Sequence, residues 1–225
     1  AAKTPIAVDA LFRIASQTKA IVSVGVLMLQ EQGKLNISDP LSRFIPEFSK
    51  TTVAIPGEDG TYDVVPADRQ ITIRDLLTHT SGIGYGYGVA AKEWQEAGIQ
   101  GWYFADRKEP ILETVKRMAG LPMDAQPGTQ FVYGYSTDIL GAVIEQASGE
   151  TLESFLSEHI LNPLAMSDTH FYVPASKAAR LMPVYNPLPD GGLKKAAEGP
   201  GMDTQGQYIS GPRTSFSGGA GLISS

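Results

Sequence analysis

Cysteine is absent from the 225 residues, which excludes a disulfide framework, thiol catalysis and cysteine-ligated metal. Histidine is nearly so: His79, His159 and His170 are the only three, and none are at a metal-ligand spacing. No metal and no cofactor are therefore expected. Clustered positive charge is missing too. The formal charge is −6 and the isoelectric point about 5.1, so nucleic acid and anionic membranes are not expected as partners. No apolar run reaches the length of a membrane span, and Ala1-Ala2-Lys3-Thr4-Pro5 does not read as a signal peptide. The composition suits an exported protein whose signal has been removed as well as a cytosolic one; a periplasmic or secreted location is the favoured expectation.

What is present is enough apolar material for a sizeable core. Hydrophobic residues make up 42% of a chain long enough for one large domain or two small ones. The most apolar long run is Ala20 to Leu29, interrupted only by Ser23 and Gly25 and closed at Gly33. This pattern predicts a buried helix with a glycine stop. Ser16-Gln17-Thr18-Lys19 stands at its mouth, with Ser16 and Lys19 on one face. Two readings of that pair are open. A serine N-cap followed by a snorkelling lysine is the plain structural one. In the other, a lysine drawn into an apolar site serves as base to a serine nucleophile, and the helix N-terminus offers the Ser16 N–H to an oxyanion.

Further along, a strand over Ala10–Ala15 delivers Ser16, and Asp39-Pro40 opens a short helix to Phe44. A hairpin is expected around Thr61–Val65 and a capped helix over Ile71–Gly82. Gly84-Tyr85-Gly86-Tyr87-Gly88 forms a flexible aromatic loop, a candidate cleft wall, and lacks the third glycine of a dinucleotide loop. Trp94, Trp102, Tyr103 and Phe104 follow, a cluster that suits either core packing or an acyl pocket. Helices are expected over Pro110–Met118, Ile139–Ala147 and Thr151–Ile160. From Val173 onward hairpin signals replace helix periodicity, notably Asp190-Gly191-Gly192. The expected division is 1–35, the nucleophile strand and helix of an α/β part; 36–172, mainly helical; and 173–225, a return to sheet.

Four stretches together resemble the serine β-lactamase-like superfamily, in the branch of class C β-lactamases, D-alanyl-D-alanine carboxypeptidases and family VIII carboxylesterases. They are Phe12–Lys19, Asp75-Leu76-Leu77-Thr78-His79-Thr80-Ser81-Gly82, Pro127-Gly128-Thr129-Gln130-Phe131-Val132-Tyr133 and Pro163–Thr169. The resemblance implies an α+β fold, β-lactamase/transpeptidase-like, in which a helical domain packs against an antiparallel sheet flanked by helices. It also implies that Ser16 is the acyl-accepting nucleophile, Lys19 its base and Tyr133 the second proton-transfer group. Tyr135, Tyr85, Tyr87 and Trp102 are the candidate substrate contacts.

The chain departs from the family pattern twice. Where lactamases usually carry Tyr-x-Asn, this chain has Tyr133-Gly134-Tyr135, which favours an ester over a β-lactam and leaves Tyr135 as a rival motif tyrosine. The third motif, on the strand facing the nucleophile, does not occur, and Ser217–Leu222 resembles a segment upstream of it. The chain thus reads as an internal fragment with an incomplete sheet, expected to need a companion polypeptide or to belong to a longer chain. A carboxylesterase working through an acyl-enzyme on short-chain esters is the leading expectation. Behind it come β-lactamase or D-alanyl-D-alanine carboxypeptidase activity, and a catalytically silent binding module. An α/β-hydrolase is disfavoured because Gly134-Tyr135-Ser136-Thr137-Asp138 lacks the final glycine of the nucleophile elbow. The three histidines are expected to be structural.

Overall fold

The apolar run after Lys19 folds as α1, Thr18–Glu31, in a computed structural model that describes residues 5–101 and 104–225. It buries Val22, Val26 and Leu29 completely. It is not buried all round, as the sequence suggested: Val24 and Leu27, on the other side, are 48% and 44% exposed. Its glycine marks the closest approach to the helices behind it. A Cβ on Gly25 would stand 3.1 Å from the Phe155 ring and 3.2 Å from Ile144 Cδ1. That approach offsets the helix propensity a glycine forgoes.

Ahead of α1, the two-residue strand β1 (Phe12–Arg13) gives way to a 3₁₀ turn at Ala15–Gln17. A hairpin follows, β2 (Thr52–Pro56) against β3 (Tyr62–Pro66). The expected helix at Asp39-Pro40 is instead one 3₁₀ turn, Leu41–Arg43, after an extended Pro40. Asp39 does not cap it: its carboxylate takes hydrogen bonds from Arg43 and the Asn36 N–H, and the Leu41 N–H goes to the Ile71 carbonyl. Four further helices are α2 (Ile73–Leu77), α3 (Ala91–Glu96), α4 (Ile111–Met118) and α5 (Ser136–Ser148), which ends on left-handed Gly149. Then α6 (Leu152–Leu156), capped by Thr151, runs into a wider π turn at Ser157–Leu161.

The last third is mostly irregular, with the short hairpin β4 (Tyr185–Pro187) and β5 (Leu193–Lys195) and a final strand β6 (Ile223–Ser224). β6 returns to pair antiparallel with β1, Phe12 opposite Ser224 and Arg13 opposite Ile223. The fold is α+β, and among the described residues the sheet is three separate two-stranded pieces. One core of buried side chains runs from Leu11 and Val22 through Leu76, Ile139 and Phe155 to Phe171 and Leu222. No helix among the described residues is long and apolar enough to cross a membrane.

Candidate active site

Three remote segments meet at Ser16. The first is its own turn. Ala15 takes a left-handed φ of +43°, unusual for a residue with a side chain, and so aims Ser16 out of the strand, where it is exposed. Lys19, one turn on, donates from Nζ to Ser16 Oγ at 3.1 Å. Ser16 lies in the 3₁₀ turn Ala15–Gln17 that leads into α1, where the first backbone N–H groups have no intrahelical acceptor.

The second segment is 127–135, and α2 positions it. Thr72 and Asp75 close a capping box at the start of α2. The Asp75 carboxylate also accepts from both terminal guanidinium nitrogens of Arg69, at 2.7 and 2.9 Å, and from Thr80 at 3.2 Å. Arg69 in turn fills the space where Gly128 would carry a side chain, 2.2 Å from its would-be Cβ. Two backbone bonds complete the docking, Gly128 N–H to Thr80 O at 2.7 Å and Val132 N–H to His79 O at 2.8 Å. The motif pair Asp75–Gly82 and Pro127–Tyr133 is thus one physical unit. Gly134 then passes so close to Ile83 O and the Gly84 backbone, 2.3–2.5 Å from a would-be Cβ, that no larger residue fits.

The result is that Tyr133 OH donates to Ser16 Oγ at 2.7 Å. Lys19 Nζ sits 4.6 Å from the centre of the Tyr133 ring, within cation–π range. Burial acts to raise the Tyr133 phenol, but Lys19 and Ser16 outweigh it and the group lies below its ordinary pKa. Under it lies His79, in left-handed backbone at the end of α2 (φ +55°), with ring centres 4.8 Å apart. Burial first, and then the charge of Lys19, keep His79 below the usual imidazole pKa. Phe131 flanks Tyr133 on the outside and is 67% exposed.

The third segment is 217–222. Lys19 Nζ donates to the Gly219 carbonyl at 2.7 Å and to Tyr85 OH at 3.4 Å. The lysine expected in an apolar site thus sits in a cage of oxygens and one aromatic face. This loop is tied to the start of α1 by Leu222 N–H to Thr18 Oγ1 at 3.0 Å and Ile14 N–H to Leu222 O at 3.1 Å.

Among the candidate substrate contacts, Tyr85 borders the cage, its phenol raised by burial and then by the nearby Asp138. Tyr87 lies exposed. Trp102 lies outside the described residues. Tyr135 is not exposed to the cleft: its side chain is fully buried, stacks on Trp94, and its hydroxyl donates to Gly101 O. Strict extended alternation would put residues two apart on one side; the chain instead turns after Gly134, and Tyr135, as the N-cap of α5 with φ −74° and ψ 1°, has left the extended path and points into the core. Three contributors escaped the sequence reading: the Gly219 carbonyl, the His79 ring and Phe131. The signal for the first was the run Ser217-Gly218-Gly219-Ala220-Gly221, which shows only that backbone comes close to something.

His159 pairs with Glu150 at 3.0 Å, and with exposed Glu158 these groups bring three ligand-capable atoms within 4.8 Å of one another. An ordinary surface hydrogen-bonded pair accounts for them.

A serine, a lysine and a tyrosine on one oxygen, within this α+β fold, define a class. The chain belongs to the beta-lactamase family, whose description matches residues 1–225, and its fold is that of serine β-lactamases and penicillin-binding proteins. Within that class it is similar to esterase EstB of Burkholderia gladioli, 36% identical over 168 residues, covering 74% of this chain and 40% of that one. It is also similar to the lovastatin esterase of Penicillium rubens, 32% identical over 206 residues, covering 88% of this chain and 49% of that one. Among solved structures it is similar to EstCE1, a hydrolase with promiscuous acyltransferase activity, with a TM-score of 0.77 at 26% identity, covering 99% of this chain and 57% of that one. The chain therefore spans about half the length of the curated relatives it matches.

Proposed function

We propose that the protein is a serine hydrolase that forms an acyl-enzyme on Ser16, acting as a carboxylesterase on short-chain esters. The observation that carries this reading is the convergence of Lys19 Nζ and Tyr133 OH, from segments 114 residues apart in sequence (133 − 19), on the one oxygen Ser16 Oγ. With Lys19 in its neutral amine form, Oγ attacks the ester carbonyl as its proton passes to Nζ, the oxyanion turns to the Ser16 N–H, and Tyr133 delivers a proton to the departing alcohol. Water then attacks the acyl carbonyl as its proton passes to the Tyr133 phenolate, and Lys19 returns its proton to Ser16 Oγ as the acid departs.

Ester is favoured over β-lactam by two observations. The position two after Tyr133 offers no amide to grip a β-lactam side chain, since Tyr135 is turned into the core. The relatives with stated activities include two esterases. β-Lactamase or D-alanyl-D-alanine carboxypeptidase activity is the second reading, supported by the shared fold.

The test is intact mass and peptide mapping of the complete polypeptide after exposure to p-nitrophenyl acetate and, separately, to a cephalosporin. An acetyl group on Ser16 from the ester alone, lost in Ser16→Ala, is the expected result. Adducts from both reagents support the second reading. No adduct from either makes the protein a binding module.

A further inference from the structure

Asp138, the third residue of α5, is fully buried, and only one of its carboxylate oxygens has a partner. Oδ1 accepts from the Ser217 hydroxyl at 2.6 Å and from the Gly219 N–H at 3.0 Å. Oδ2 has none, and it presses on Gly219 where a Cβ would stand 2.2 Å away. A buried carboxyl with one oxygen left unpartnered is costly, and packing alone gives no reason for one.

The bonds continue beyond the carboxylate. Ser217 Oγ accepts the Ala220 N–H at 3.1 Å. That N–H shares a peptide group with the Gly219 carbonyl, which takes the bond from Lys19 Nζ at 2.7 Å. Carboxylate, hydroxyl, peptide and ammonium form one chain with every donor pointing the same way. Such chains polarise each member, and here an anion stands at one end and a cation at the other.

We propose that Asp138 is a positioning residue for Lys19: through Ser217 and the Gly219–Ala220 peptide it aims the Gly219 carbonyl at Nζ and so holds Lys19 beside Ser16 Oγ. The inference rests on the acyl-enzyme reading of Ser16. The groups facing Asp138 agree with it. Burial pushes its carboxyl up to about 6, against the pull of Ser217, Gly219 and Lys19. Across from it the Tyr85 and Tyr135 phenols are raised by burial and then by its charge. Among the described residues Lys19 is the cation whose field acts on it.

The experiment measures Ser16 acylation by p-nitrophenyl acetate in the complete polypeptide, for wild type, Asp138→Asn and Ser217→Ala. Asparagine keeps the shape and the acceptor but removes the anion; alanine keeps the anion but cuts the link. Expected for both is an acylation rate lower by about tenfold or more with KM held within about threefold. In Asp138→Asn the acid limb of the rate profile also moves to lower pH, because an anion that favours the charged base is gone. A packing defect does not move that limb. Wild-type rates with an unmoved limb in Asp138→Asn overturn the inference, and if that variant does not fold, a wild-type rate in Ser217→Ala overturns it. Absence of a Ser16 adduct in the wild type overturns the hydrolase reading, and the inference with it; an adduct with unaffected variants overturns the inference alone.

Discussion

Tyr133 and Tyr135 stand two residues apart, and either could be aligned with the family's motif tyrosine. Their surroundings give them opposite prospects. Tyr133 is 44% exposed and bonded to Ser16, whereas Tyr135 is wholly enclosed and bonded to the Gly101 carbonyl. Removing the Tyr133 hydroxyl takes away the proposed proton-transfer group, so Tyr133→Phe is expected to lower kcat by about a hundredfold or more. Removing that of Tyr135 leaves a carbonyl unpaired, so Tyr135→Phe lowers stability by about 1–3 kcal/mol and leaves turnover within a few-fold. Steady-state kinetics and thermal melts on the two variants check both halves, and the reverse ranking moves the motif assignment to Tyr135. The sequence narrows the choice to these two phenols. Deciding between them takes the docking of residues 127–133 on the end of α2 and the close passage of Gly134.

At the scale of elements, α2 is five residues long, too short to persist by its own hydrogen bonds. It is held by the Asp75 carboxylate, which ties together Arg69, Thr72 and Thr80. Burial alone raises that carboxyl, but the hydrogen bonds from Arg69 and Thr72 outweigh it and hold it at about 2. A carboxyl depressed in the folded state stabilises it above the unfolded pKa of about 4, and that stability is lost as pH falls through about 2. Asp75→Asn therefore costs about 2 kcal/mol at pH 7, and the deficit shrinks as pH falls from about 4 to about 2. Glu109, held at about 2 by Arg117 against the effect of burial, loses its contribution in the same range, so the difference between variant and wild type is the quantity to measure. Urea titrations at a series of pH values supply it, and a constant difference across that range means the carboxylate does not hold α2. The capping pattern of this helix was legible in Thr72 and Asp75; the bridge through Arg69 to Gly128 was not, because it joins residues 59 positions apart (128 − 69).

For the whole molecule, the relatives are about twice as long as this chain, and part of its apolar surface has no cover. Val24 and Leu27 on α1 and Phe12 on β1 are exposed apolar positions, and the β1–β6 pair is only two residues long. Further strands of the complete polypeptide, carrying the third motif and a second oxyanion donor, are the proposed cover. Residues 1–225 prepared alone then turn over ester about two to three orders of magnitude more slowly than the complete polypeptide, the cost of one missing donor. Equal rates place both donors within the 225 residues. The sequence by itself determined the Ser16–Lys19 pair and most of the run of helices, because these rest on short-range spacing and periodicity, and it pointed to the family and fold class through the resemblance of its four motif stretches. Only the tertiary structure decided which tyrosine meets Ser16, that Lys19 is caged by the Gly219 carbonyl, and that Asp138 lies behind it. Those contacts span roughly 80 to 200 positions of chain, and pairings at that range are fixed by packing rather than by any local pattern.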